Sequence, residues 1–344
     1  MKRTTWGLGI IVLLAVVVWS GWRQIQHFAA SPLIIKQETI FTLPAGTNRE
    51  GLQALLTEQH IIDDSHWFPW LLQLEPELAT FKAGTYRLTP AMTVRDMLAL
   101  LASGKEAQFS VRFVEGSRLK EWLETLKSAP YLRHTLEDKT PQEIAEAIGL
   151  KDKPNPEGWF YPDTYLHTAG MSDKSILQRA HQRMTKILND VWTARDEGLP
   201  YKSPEELLVM ASLIEKETAI NEERPLVASV FINRLRVGMR LQTDPTVIYG
   251  MGENYNGVIT RSALEAVTPY NTYVINGLPP TPIAMPGKAS LEAAAHPAKT
   301  SYLYFVADGK GGHTFTSNLN DHNRAVQAYR SAQAAAAGKE KNEQ

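Results

Sequence analysis

The chain has 344 residues, 43% of them apolar, and a formal net charge of −1, so it can bury a sizeable core in two or three domains and is not a disordered polymer. No long basic block accompanies that charge, which removes electrostatic support for a nucleic-acid partner. The absence of cysteine excludes disulfides, thiolate nucleophiles and cysteine metal sites, and leaves the compartment open.

Lys2 and Arg3 precede an uncharged, mostly aliphatic run from Thr4 to Trp22, which Arg23 closes. A bilayer-spanning helix needs about 20 apolar residues, and Trp6, Trp19 and Trp22 near the ends suit an aromatic belt. A cleaved signal would carry a shorter apolar region of about 7–15 residues and a small-x-small site, for which Ser20-Gly21-Trp22 is a poor match. Residues 1–25 are therefore expected to be an uncleaved signal anchor with its N-terminus in the cytoplasm. Residues 26–37 read as a linker.

Residues 38–106 alternate short strands and helices: a strand at Thr39–Leu43, a turn at Pro44-Ala-Gly, and a helix with Leu52, Leu55 and Leu56 on one face. A second helix follows with Phe68, Leu71 and Leu72, then a strand from Lys82 to Leu88 and a helix from Val94 to Leu101 capped by Thr93. This small α+β unit shows no reactive constellation. Phe109, Val111 and Phe113 alternate with Ser110 and Arg112 as a half-buried strand opening the next domain, with short helices after it. The stretch Pro154–Tyr165 is rich in turn formers and aromatics. It suits either sugar stacking, with Glu157, Asp163 and Tyr165 as substrate-binding candidates, or a turn packed by its own rings. A long helix begins at Ser172 or Asp173 and ends near Asp196.

From Ser203 to Thr218 the pattern predicts a helix with Ser203 as N-cap, Pro204 in its first turn and Glu206 completing a capping box. Leu207, Met210, Ala211 and Ile214 share one face, with Glu217 at its edge, whereas Glu215 is turned by roughly 160° from Glu217. A carboxyl over that apolar face would be desolvated and could stay protonated near neutral pH as a general acid; a helix-end glutamate reaching water is the competing reading.

A helix near Asn221 follows, tolerating Pro225 only in its first turn and stopped by Gly238. Gln242, Thr243 and Asp244 are candidates for sugar hydrogen bonds or for orienting Glu217, or simply turn residues at Asp244-Pro245. Asn271 and Tyr273 fall in a long irregular region of the kind that carries function. Ser290 is expected to cap a helix ending at His296-Pro297, and Asp308–Gly312 to be the tip of a hairpin. Residues 332–344, Ala-rich and then charged, are expected to fray. No metal or cofactor motif is present, and no Gly-x-Ser-x-Gly elbow.

The motifs Ile214–Thr218, Val227–Leu235, Leu241–Tyr249 and Tyr302–Gly309, together with the aromatic segment at Glu157–Tyr165, closely resemble the MltG (YceG-like) endolytic murein transglycosylase family. The resemblance implies an α+β fold: an N-terminal transmembrane helix, a LysM-like subdomain over 38–106 and a larger mixed α/β catalytic domain over 107–331. It further implies a single-pass protein of the cell inner membrane with its catalytic domain in the periplasm, needing no cofactor. The implied reaction cuts the β-1,4 bond between N-acetylmuramic acid and N-acetylglucosamine in nascent strands. It leaves 1,6-anhydro ends and so terminates glycan elongation. Glu217 falls on the family's catalytic glutamate. Penicillin-binding synthases are the implied protein partners. A muramidase-type hydrolase using Glu217 with Asp244 or Asp163, and a non-catalytic wall-binding scaffold, are the rival readings.

Overall fold

The computed structural model describes residues 2–150 and 152–342, with side chains from Gly9 to Ala334 apart from Lys151. The side chains of Lys2, Arg3 and Trp6 and the terminal Glu343 and Gln344 lie outside the described residues. The chain forms two compact units, one of residues 1–109 with 166–171 and one of residues 110–165 with 172–344.

The first unit contains α1 (Lys2–Ala29), β1 (Thr39–Leu43), α2 (Arg49–Glu58), α3 (Trp67–Leu74), β2 (Gly84–Leu88) and α4 (Val94–Ser103). β1 and β2 pair antiparallel from Thr39 opposite Leu88 to Leu43 opposite Gly84. Their alternation puts Phe41, Leu43, Tyr86 and Leu88 into a core shared with Leu52, Leu56, Phe68, Leu71, Leu72 and Leu98. α4 starts on a reciprocal cap, Thr93 accepting the Asp96 N–H while the Asp96 carboxylate accepts that of Thr93. Residues 26–37, read from sequence as a linker, begin inside α1 and contribute Ala29 and Leu33 to this core. Ile25 and Ala29, one turn apart on α1, and Leu33 beyond it are buried in this core, so the helix continues past the apolar run and docks by its last turns. Gly9–Ala29 is long and apolar enough to cross a membrane.

From Phe109 onward come β3 (Phe109–Arg112), α5 (Leu119–Ser128), α6 (Pro141–Ile148), β4 (Thr164–His167), α7 (Asp173–Ala194), α8 (Pro204–Glu217), α9 (Arg224–Arg236), α10 (Asp244–Met251), α11 (Arg261–Glu265), α12 (Lys288–Ala295), β5 (Tyr304–Ala307), β6 (His313–Thr316) and α13 (Leu319–Asn342). The described strands pair only two by two, β1 with β2, β3 with β4 and β5 with β6. The larger unit is therefore mainly helical with short two-stranded ribbons, within a mixed α+β chain. The β5–β6 hairpin forms as expected, Ala307 facing His313 across the tip.

α8 lies at the centre. Every residue from Leu207 to Ile214 is buried, because α7, α9, α10 and α12 all pack against it. The single apolar face inferred from periodicity is thus only part of its buried surface. Its start also differs from expectation: Ser203 accepts the Glu206 N–H, but the Glu206 carboxylate accepts the N–H of Lys202, one residue before the N-cap, at 2.6 Å. Asp244-Pro245 opens α10 as its first turn, not a simple loop, since a proline there gives up an N–H that has no helical partner anyway. Ser290 is inside α12, whose N-cap is Gly287. Past Ala332 the alanine run continues as helix to Asn342, in keeping with alanine's high propensity.

The aromatic segment is a packed turn. Phe113 stacks on Trp122 with centroids 3.7 Å apart, and Phe160 is fully buried. Gly158 has φ +84°, and a Cβ there would lie 2.3 Å from the Cβ of Pro282. Gly158→Ala is expected to lose about 1–3 kcal/mol or more from strain and overlap together. An unchanged denaturant midpoint would contradict this account of the turn.

Candidate active site

The site is built at the C-terminal end of α8, where Thr218 swings to extended backbone (φ −144°). The half-buried Glu217 accepts a hydrogen bond from the Thr243 hydroxyl. Thr243 is held in turn by a threonine cluster: its N–H donates to Thr272 Oγ1 at 3.0 Å, and Thr246 Oγ1 donates to the Thr243 carbonyl at 2.7 Å. Gln242 just before it has φ +52°, a conformation that costs a non-glycine residue about 1–2 kcal/mol. That strain persists because the surroundings hold it. The Gln242 N–H donates to the Thr272 carbonyl at 3.2 Å, and Arg234 donates to Gln242 Oε1 at 3.2 Å and to the Leu241 carbonyl at 2.9 Å. Arg234 also binds the Leu303 carbonyl at 2.6 Å, so one buried guanidinium ties α9 to both the Gln242 loop and the strand leading to the hairpin. Asp244 accepts the Tyr273 hydroxyl at 2.6 Å.

Burial pushes the Glu217 carboxyl up to about 7; the Thr243 bond and the charge of His313 work against this, and the charge of Asp244 adds to it. An acid in that range can give up a proton and take it back near neutral pH. His313, at the start of β6, is fixed by Glu223 just before α9: its ring Nδ1 lies 2.7 Å from Glu223 Oε2, and its N–H donates to Glu223 Oε1 at 2.7 Å. Thr218 Oγ1 donates to the same carboxylate at 3.0 Å. Burial opposes the charge on Glu223, but these bonds together hold its carboxyl below the usual range.

Glu215 is structural. Its side chain is only 6% exposed and faces Arg224, itself 8% exposed, at 3.5 Å. The Gly287 N–H and the Ser290 hydroxyl donate to Glu215 Oε2 at 3.0 and 2.7 Å. A carboxylate of α8 thus caps the N-terminus of α12, where the free N–H groups and helix dipole favour negative charge. Its hydrogen-bond partners are Arg224, Gly287 and Ser290.

The remaining sequence candidates separate. Thr243 bonds Glu217, the charge of Asp244 acts on Glu217, and the charges of both act on Tyr273, whereas the exposed Gln242 binds Arg234. Asn271 does not present its amide: Nδ2 donates to the carbonyls of Ala263, Leu264 and Ala266, closing α11. Asp163 pairs with Arg183. Tyr165 is 6% exposed and donates to the Tyr161 carbonyl at 2.6 Å. Glu157, 4% exposed, accepts the Leu119 N–H at 2.9 Å and caps α5; burial raises its carboxyl to about 7 as well. A cavity of about 870 Å³ along α5 reaches Glu157 and Tyr249, and Glu217 is not in its lining. Sequence reasoning missed His313, Glu223, Arg234 and Thr272. The motif Asn233-Arg234-Leu235 was visible, but nothing local tells which carbonyls a buried arginine will bind.

A protonable carboxyl hydrogen-bonded by a hydroxyl at the end of a buried helix can exchange a proton near neutral pH. The chain belongs to the YceG-like family, whose model matches residues 41–328. It is 34% identical over 305 residues, covering 83% of each chain, to a Bacillus subtilis protein named endolytic murein transglycosylase. A Streptococcus pneumoniae protein of the same name is 27% identical over 357 residues, covering 93% of this chain and 64% of that one. The crystal structure of a yceG-like protein from Listeria monocytogenes aligns with TM-score 0.50 and 30% identity, over 84% of this chain and 99% of that one.

A glutamate whose carboxyl rises from 4.5 to about 7 on folding leaves the native state more protonated than the unfolded one between those values. Its contribution is whole below pH 4.5 and is lost as pH climbs through 7, by on the order of 3 kcal/mol. Glu217→Gln should therefore be more stable than the parent at pH 8 and alike at pH 4. Urea titrations at the two pH values check this; equal differences at both would refute the raised carboxyl.

Proposed function

We propose that this chain is a membrane-anchored lytic transglycosylase that cuts peptidoglycan strands internally, with Glu217 as its single acid/base. The observation that carries the reading is the protonable Glu217 carboxyl held by Thr243, in a chain of the YceG-like family whose relatives are named for that activity. Protonated Glu217 gives its proton to the glycosidic oxygen as the bond from C1 of N-acetylmuramic acid breaks. The carboxylate left behind takes the proton of the same sugar's C6 hydroxyl as that oxygen attacks C1. The product is a 1,6-anhydro end, no water is consumed, and the acid returns to its starting state.

Ordinary glycosidases need a second carboxylate at about 5–5.5 Å or about 6.5–9.5 Å, as nucleophile or to activate water. Here the nucleophile is part of the substrate, and its high effective molarity stands in for that group. Asp244, engaged by Tyr273, then serves the sugar or the charge of Glu217, and Gln242 lies beside it at the surface. Glu157, Asp163, Tyr165 and Asn271 act by shaping the fold around the site. In this reading α1 spans the inner membrane, the rest of the chain stands in the periplasm, residues 38–106 act as a LysM-like glycan-holding unit, and neighbouring synthases supply nascent strands whose elongation it terminates.

Digestion of purified uncrosslinked glycan by the full chain is expected to release anhydro-ended fragments lighter by one water than hydrolysis products. Glu217→Gln, folded by its melting curve, should lose at least the ~10²–10⁴-fold typical of a missing general acid/base. Fragments at the hydrolytic mass would move the assignment to a muramidase, and near-normal turnover by the variant would remove Glu217 from the chemistry.

A further inference from the structure

α1 runs without a break from Lys2 to Ala29, so the apolar run and the folded unit beyond it are parts of one rod. Its aliphatic residues Leu13, Val17 and Val18 are exposed, while Ile25 and Ala29 are inside the core. α3 lies against these last turns. Phe28 meets Phe68 edge to face at 6.4 Å, and the Gln26 amide donates to Glu75, just past the end of α3, at 3.5 Å. Arg95 closes the contact, donating to Glu75 at 2.6 Å and to Gln26 at 2.7 Å.

Helix geometry sets the height of this contact. At about 1.5 Å per residue, Gln26 stands only about 6 Å beyond Trp22, the last residue of the uncharged run, and Phe28 about 9 Å beyond it. The headgroup layer on each side of a bilayer's hydrocarbon is roughly 5–7 Å deep. The Leu74 end of α3, beside Gln26, is thus at headgroup depth when α1 spans a membrane.

The chemistry of α3 agrees with that depth. No charged residue occurs between Trp67 and Leu74. Phe68, Leu71 and Leu72 face the core, whereas Trp70 and Leu74, one turn apart on the other side, are 54% and 51% exposed. A tryptophan and a leucine on an uncharged outer face suit the boundary between headgroups and acyl chains. Arg23, over the Trp19 ring at 5.5 Å, and His27 are exposed on α1 at the same height. The exposed acids Asp63, Asp64 and Glu77 lie before and after the helix, not on it.

We propose that the Trp70–Leu74 face of α3 rests in the interface of the bilayer that α1 crosses, so that the first unit is clamped to the membrane at two places. The proposal rests on reading α1 as a membrane span. With acids flanking the face, it calls for insertion into a zwitterionic surface and not for attraction to anionic lipid.

Because the chain has no cysteine, single cysteines can be spin-labelled without background. The full chain carrying Leu74→Cys, with Trp70 in place, is reconstituted in phosphatidylcholine vesicles. Collisions of the label with oxygen and with a water-soluble nickel chelate are then compared with those of Val18→Cys in the span and Glu58→Cys at the exposed end of α2. The expected result is a several-fold loss of nickel collisions at Leu74 relative to Glu58, with oxygen access kept, and partial recovery of nickel access on adding Trp70→Gln. Nickel access equal to that of Glu58 while Val18 is shielded overturns this inference and leaves the anchor intact. Low access to both reagents would mean that protein covers the face, and also overturns it. Free nickel access at Val18 removes the anchor reading itself.

Discussion

The Glu217 end of α8 depends on the ion pair and hydrogen bonds of the Glu215 carboxylate. α8 is buried from Leu207 to Ile214; within that stretch Ser212 accepts the Ile283 N–H at 3.1 Å, and its charged partners come at its end. Burying such a helix is strongly favourable, at about 1.5–3 kcal/mol for each large apolar side chain, but it sets no rotation or height for the last turn. Glu215 does so. It accepts from Gly287 and Ser290 at the start of α12 and pairs with Arg224 at the start of α9, so three helix ends meet at one charge. A buried carboxylate without those donors would be costly, which makes the arrangement specific. Close packing follows from it: a side chain at Gly287 would collide with Glu115, whose oxygen would be 2.1 Å from the added carbon.

With the helix end fixed, Glu217 two residues on has its place, and the groups around it come from elements far apart in the chain. Thr243 and Asp244 precede and begin α10, Tyr273 comes from the irregular segment after α11, and His313 from the hairpin. Thr243 is held by the threonine cluster, Asp244 and Tyr273 by each other, and His313 by the Glu223 carboxylate. The two glutamates of the Glu-Lys-Glu motif are thus opposite in use. One is fully bonded and holds the fold; the other has a single hydroxyl partner among its described hydrogen bonds and a carboxyl near 7, and so is left able to exchange a proton.

The first unit shows a similar economy. The last turns of α1 are core residues of that unit, so the segment that looked like a linker is one of its structural supports. Docking by Ile25, Ala29 and Leu33 gives the unit a fixed height and orientation along the helix, which a flexible tether would not.

Sequence alone determined what local rules encode. Thr93, Ser172 and Ser203 cap helices because a hydroxyl can satisfy a free N–H only a few residues away. The β1, β2, β5 and β6 strands follow from two-residue alternation and glycine-rich turns, and the motifs around Glu217 carry the family. The expectation for Glu217 rested on an incomplete reason: periodicity predicted one apolar face, whereas packing buries α8 on every side, so face position does not distinguish Glu217 from Glu215. Only the tertiary structure decided that, by placing Gly287, Ser290 and Arg224 against one carboxyl and Thr243 against the other. It likewise turned Glu157, Tyr165 and Asn271 inward and brought His313 to the site. Each of these outcomes depends on which distant donor meets which acceptor. Such a pairing is fixed by the packing of whole elements and leaves no local pattern in the chain.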